Sequence, residues 1–200
     1  MGKVIDFYFE FYSPYAYLSS CRIDAIAEKH QVSVNWRPFM LGASFPITGQ
    51  RPLTQIPMLG EYSLLDMQRN ARLHGIEFRM PDEFPKISLN CARAFYALVD
   101  DRPEQARALA RAIYHEIFVL GHDATQPELI ARLAEQIGID SAALLGSIQT
   151  PEIKQRLKEE TEKAIRRGVF GAPFFFVDDQ PFWGNDRLDQ VDRWLATGGW

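Results

Sequence analysis

The chain has 200 residues, 46% of them hydrophobic, with 14 Phe, 7 Tyr and 4 Trp and a formal charge of −4. That is enough apolar material for one large domain or a domain carrying an insertion, and the slight negative charge excludes the broad basic surface that a nucleic-acid backbone requires. Cys21 and Cys91 are the only cysteines, which fits reduced thiols; with no uniform apolar run at the start or later, the expectation is a cytoplasmic protein with no membrane contact.

The first element reads as a strand. In "KVIDFYFEF" Ile5, Phe7, Phe9 and Phe11 alternate with Val4, Asp6, Tyr8 and Glu10, the period of a pleated strand. "YSPYAYL" follows, with Ser13 where an N-cap belongs and Pro14 where the first helical residue belongs. Tyr17, Leu18, Cys21, Ala25 and Ile26 recur at helical spacing, so this helix is expected to run to about His30, with Cys21 packed on its apolar stripe. "VSVNWRP" alternates again and stops at Pro38. Strand, helix and strand make a βαβ unit.

From residue 42 to 57 the chain is rich in Gly and Pro, and from there to about residue 167 it reads as helical. Thr125 with Glu128 has capping-box spacing, Asp140 can cap the next helix, and Thr150 with Pro151 opens another. On that last helix Glu159 with Lys163 and Glu162 with Arg166 are spaced for i,i+4 pairing, a solvated face before Gly168 ends it. Cys91, in "SLNCARAFYAL", is expected to pack. "APFFFVDDQPFW" returns to strand character around an Asp178-Asp179 turn, and "RLDQVDRWLA" closes the chain as a helix. The pattern is α/β: a βαβ start and a ββα end, residues 1–40 and 168–200, around an all-helical insertion at 41–167.

Chemistry enters at Ser13. A nucleophilic serine needs a base, but there is no GxSxG elbow, and His30, His74, His115 and His122 form neither a triad pattern nor metal-ligand spacing. No metal site is expected. A hydroxyl at a helix start can instead hold an anion, and a thiolate gains most from such a place. No cysteine sits there, so the sulfur has to arrive on a ligand. Taken alone, Ser13-Pro14 reads first as a plain helix start.

"FYSPYAYL" together with "GVFGAPFFFVDDQPFWGNDRL" (168–188) resembles the 2-hydroxychromene-2-carboxylate isomerases and the kappa-class glutathione transferases, in the DsbA-like branch of the thioredoxin fold. The resemblance covers the whole chain and implies a thioredoxin-like fold with a large helical insertion. Where redox relatives carry CPxC, this chain reads Ser13-Pro14-Tyr15-Ala16, so dithiol–disulfide exchange is excluded on chemical grounds. The resemblance implies glutathione as cofactor, with Ser13 as the catalytic residue bonding its sulfur. It also implies a cis bond between Ala172 and Pro173, with the Ala172 backbone pairing the cysteinyl part of glutathione. Trp183, Gly184, Asn185 and Asp186 ("WGND") would hold the γ-glutamyl end, Asp186 facing its ammonium. By residue type alone Asn185 or Asp186 could simply cap the last helix.

Two positions depart from the family pattern: Gln50 replaces an Asn among the cofactor contacts, and Leu59 replaces a Lys ahead of Tyr62, Asp66 and Arg69. Arg51 is the candidate substitute cation. The activity implied is a glutathione-dependent isomerase acting on a small aromatic substrate. It would interconvert 2-hydroxychromene-2-carboxylate and o-hydroxybenzylidenepyruvate-type intermediates of aromatic hydrocarbon catabolism, as a homodimer. A kappa-class-like transferase conjugating an electrophile is one alternative; a non-catalytic thioredoxin-like binding protein is the other.

Overall fold

The computed structural model describes residues 3–200. Four strands form one mixed sheet: β1 (Val4–Phe9), β2 (Ser33–Pro38), β3 (Phe174–Val177) and β4 (Gln180–Trp183), in spatial order β2-β1-β3-β4. β1 runs parallel to β2 and antiparallel to β3, which pairs antiparallel with β4. The crossover from β1 to β2 is helical, as a parallel pair requires. β3 and β4 are joined by Asp178 and Asp179 at φ 50° and 63°. Aspartate tolerates the left-handed region, and two such residues match the twist of a tight hairpin.

Both faces of β1 are covered, so its alternation sorts rings between two cores rather than between core and water. Ile5, Phe7 and Phe9 join Val34, Trp36, Phe175 and Val177 on one side. Tyr8, Phe174 and Phe176 join Phe39, Ala164 and Val169 on the other. Asp6, on the second face, is the polar exception. Partial burial opposes its charge, but donors from Arg167, Arg37 and Asn35 outweigh it and hold the carboxyl below its usual range.

The first helical stretch is two helices, α1 (Pro14–Ser20) and α2 (Ile23–His30), instead of the single one its spacing predicts. The Ser20 hydroxyl donates to the Tyr17 carbonyl at 2.7 Å and that of Ser19 to Asn185 at 3.0 Å. The Ser20 bond, to a carbonyl of its own helix, competes with a continuing helix. The break lets Ile23 and Ala27 reach the core and leaves Cys21 exposed, not packed as its spacing implied.

Between β2 and β3 lie α3 (Phe45–Thr48), α4 (Leu59–Leu73), α5 (Leu89–Leu98), α6 (Pro103–His115), α7 (Pro127–Gln136), α8 (Ser141–Ser147) and α9 (Pro151–Arg166). α10 (Leu188–Thr197) follows the hairpin. Asp140 and Thr150 cap α8 and α9, accepting from Ala143 N–H and Ile153 N–H. The expected capping box at Thr125 does not form. Gln126 takes the N-cap of α7, because the Thr125 hydroxyl donates to Asp123 at 2.6 Å. Arg166 pairs with Glu162, whereas Lys163 takes Glu160, one residue nearer than Glu159.

The helices share the sheet's core. Phe9 lies 5.9 Å from both Phe95 of α5 and Tyr114 of α6, and Phe11 lies 5.5 Å from Tyr114. Cys91 is buried, its thiol donating to the Ala124 carbonyl.

Candidate active site

β1 delivers the chain to Ser13 through a tight turn in which the Ser13 N–H donates to the Glu10 carbonyl at 3.0 Å. With extended dihedrals (φ −104°, ψ 109°) Ser13 is the N-cap of α1, and Pro14 loses nothing at a position whose N–H would lack a helical partner. The Ser13 hydroxyl accepts from Ala16 N–H at 3.2 Å and donates to the Ala172 carbonyl at 2.9 Å. Only 8% of Ser13 is exposed.

The bond between Ala172 and Pro173 is cis, as expected. The loop before it is held from behind by Trp183. A Cβ on Gly171 would stand 2.0 Å from the Trp183 indole nitrogen, so only glycine permits this approach. Phe170 meets the same indole edge-on at 4.8 Å. Gly184 adopts a φ of 112° and its N–H donates to the Pro173 carbonyl. Asn185 is buried: its amide oxygen accepts from Ser19 at 3.0 Å and its nitrogen donates to Asn70 at 3.4 Å, tying the WGND turn to α1 and α4. Asp186 is exposed and pairs with Arg187 at 2.7 Å.

A largely apolar cavity of about 480 Å³ opens at Ser13 and Ala172, in the size range of small-molecule sites. Its apolar lining includes Met40, Phe45, Leu53, Met67 and Phe84. Gln50 is exposed on the loop after α3, and it and Arg51 lie outside the cavity lining, as do Pro173 and residues 183–186. Thus Ser13 and Ala172 meet at the cavity, Pro173, Trp183, Gly184 and Asn185 stand behind or beside them, and Gln50 is brought to neither group.

Further polar residues of the wall escaped the sequence reading. Glu10 accepts from Tyr12 N–H at 2.8 Å and from the Ser88 hydroxyl. Burial pushes its carboxyl up to about 7, only partly opposed by those donors. Lys86 is the cation on this wall, where Arg51 was expected to serve. Its Nζ lies 2.7 Å from Asp123 and 2.5 Å from Glu83. The Tyr12 hydroxyl donates to Asp123 at 3.2 Å. Partial burial opposes the Asp123 charge, yet donors from Lys86, Thr125 and Gln126 hold it well below the carboxylate range. The signal for Glu10 was in plain sight, an acid closing the aromatic run Phe7, Tyr8 and Phe9. For Lys86 and Ser88 there was none, since Ser88 lies 78 positions from its partner.

A second cavity, of about 360 Å³, lies beside β2, and its charged residues are held in ion pairs, as Arg156 is with Asp100 and Arg107 with Glu104. Among the described residues no three His, Cys, Asp or Glu gather as a metal site, and no helix is long and apolar enough to cross a membrane.

The family model of the DSBA-like thioredoxin domain matches residues 4–196. A 2-hydroxychromene-2-carboxylate isomerase of Sphingobium xenophagum is 34% identical over 98% of this chain and 99% of its own. The glutathione S-transferase kappa 1 of Homo sapiens is 27% identical over 98% and 94%. Among solved structures, a 2-hydroxychromene-2-carboxylate isomerase superposes with a TM-score of 0.88 at 27% identity, over 96% and 94% of the two chains.

Proposed function

Because the chain belongs to the 2-hydroxychromene-2-carboxylate isomerase family of DSBA-like thioredoxin proteins, we propose that it is a glutathione-dependent isomerase. Its substrates are 2-hydroxychromene-2-carboxylate and o-hydroxybenzylidenepyruvate-type intermediates of aromatic degradation. The observation that carries this reading is the Ser13 hydroxyl, fixed by Ala16 N–H, beside the cis Ala172–Pro173 bond and on the wall of an apolar cavity.

The residues fit the tripeptide in a specific respect. The Ala172 carbonyl accepts from a hydroxyl that rotates about its own C–O bond. A ligand N–H can therefore take that carbonyl while the hydroxyl turns to an anion, a one-for-one exchange that strands no buried polar group. In this proposal Ser13 holds the sulfur, Ala172 pairs the cysteinyl backbone, and Asp186 accepts from the γ-glutamyl ammonium. Pro173, Trp183, Gly184 and Asn185 keep that frame rigid, and Gln50 contributes from the loop after α3. When bound, glutathione supplies a thiolate that adds reversibly to a conjugated carbon, so that a double bond can turn. The chain's part is to keep that sulfur ionised, to orient a flat ring among Phe45, Leu53 and Phe84, and to exclude water.

Ser13→Ala tests the reading. Losing one hydrogen bond to an anion costs about 1.5–3 kcal/mol, so turnover should fall roughly ten- to a hundredfold while the bound thiol titrates at higher pH. A variant as active as the parent, with an unmoved thiol pKa, contradicts it. The similarity to the human kappa enzyme supports a second reading, conjugation with an electrophile. Product analysis separates the two, because isomerisation returns free glutathione and conjugation consumes it. As part of the same proposal the chain works as a homodimer. The exposed Ile47, Met58, Tyr62 and Leu65 offer an apolar face for a second copy, and sedimentation analysis checks the assembly state.

A further inference from the structure

Glu10 stands on the cavity wall three residues before Ser13, and the exchange at Ser13 and Ala172 gives it no task. Its surroundings are unusual for a carboxyl kept only for stability. The cation on this wall, Lys86, is committed to Glu83 and Asp123. What faces Glu10 is the Ser88 hydroxyl, Tyr12 N–H, the Cys91 thiol and the Tyr114 ring, with Asp123 nearby. None of these is a cation, so the charged form goes uncompensated. A half-buried carboxyl with no counter-ion among the described residues keeps its proton further up the pH scale than a surface one. Beside an apolar cavity such a group is equipped to move a proton at neutral pH.

We infer that Glu10 is a second catalytic residue, the acid and base that protonates and deprotonates the carbonyl oxygen of a conjugated keto substrate in the cavity beside Ser13. The inference rests on the isomerase reading above. The proton balance is closed. As a nucleophile's electron pair forms a bond to the far conjugated carbon, the carbon–carbon double bond shifts toward the carbonyl and its pair arrives on that oxygen. The Glu10 proton passes to the oxygen, leaving a carboxylate held by Tyr12 N–H and the Ser88 hydroxyl. When the nucleophile departs with its pair, the double bond re-forms and the proton returns to Glu10. Nothing is consumed.

Three measurements test this on the full chain: a carbon-13 titration of the glutamate carboxyls without any ligand, glutathione binding with its thiol pKa, and the pH dependence of kcat/KM, each for the parent, Glu10→Gln and Ser88→Ala. The expected parent has a carboxyl titrating near 7, missing in Glu10→Gln, and a falling kcat/KM limb at that pH. Glu10→Gln should bind glutathione within twofold, with an unmoved thiol pKa, yet lose roughly 10²–10⁴ in kcat/KM together with the limb. Ser88→Ala removes a donor to the carboxylate and should move both the carboxyl midpoint and the limb to higher pH. The inference is overturned if Glu10 titrates in the ordinary carboxylate range, or if Glu10→Gln keeps the limb and stays within threefold of the parent. It is equally overturned if that variant's loss tracks an equal shift in the thiol pKa, or if Ser88→Ala moves neither midpoint. A parent that binds glutathione but isomerises nothing overturns the isomerase reading and this inference together, whereas an active parent with an indifferent Glu10→Gln overturns only the latter.

Discussion

The two walls of the cavity are built by different rules. On the sheet side, Ser13 is 8% exposed, and hydrogen bonds to residues three and 159 positions away fix its hydroxyl. The segments around Leu53 and Ile87 line the same cavity with apolar side chains, 39% and 71% exposed, Leu53 on one short turn and Ile87 on irregular chain. The first wall is set by backbone geometry and tolerates little; the second is set by side-chain shape and can vary.

The largest expected effect is on the sheet wall and concerns stability. Burial raises the Glu10 carboxyl from 4.5 to about 7, so the folded state favours its protonated form. That contribution is fully present below pH 4.5 and is lost as pH rises through 7. Relative to Glu10→Gln, the parent should lose on the order of 3 kcal/mol between those limits. Denaturant melts at pH 4.5 and 8 check this, and parallel curves for the two proteins would count against it. Ser13→Ala comes next: besides its effect on turnover, it removes an N-cap, which costs about 1 kcal/mol of stability.

The Leu53 wall should answer differently. A Cβ on Gly60 would stand 2.7 Å from the Thr54 carbonyl oxygen, so Gly60→Ala must displace the turn that carries Leu53. We expect a cost of about 1–3 kcal/mol and a higher KM for the aromatic substrate, with the thiol pKa unchanged. A shifted thiol pKa in this variant would show that the walls are not independent. The smallest effect is Leu53→Ala, expected to raise KM a few-fold with kcat held, since a half-exposed leucine buries little area, about 1 kcal/mol's worth. Steady-state kinetics at saturating glutathione resolve that difference.

The same division governed what the sequence could tell. The sheet wall was legible because its signals are local: alternation through Phe9, Ser13-Pro14 at a helix start, Asp178-Asp179 at a hairpin. The cis bond at Pro173 came from resemblance, not from spacing. Local reading failed where side chains reached past their neighbours. One predicted helix breaks into two beside the Ser20 bond to the Tyr17 carbonyl, and the bond from Thr125 to Asp123 undid a capping box. Lys86 and Ser88 meet Asp123 and Glu10 across 37 and 78 positions of chain, and no periodicity announces that. Gln50, an expected cofactor contact, and Arg51, the expected substitute cation, do not line the cavity.

The most direct test of the whole account is a crystal structure of the protein saturated with glutathione. We predict the sulfur within hydrogen-bonding distance of Ser13 Oγ, the cysteinyl N–H on the Ala172 carbonyl, and the Ser13 hydroxyl turned away from that carbonyl. A tripeptide whose sulfur lies elsewhere, with the bond from Ser13 to Ala172 still intact, would contradict it.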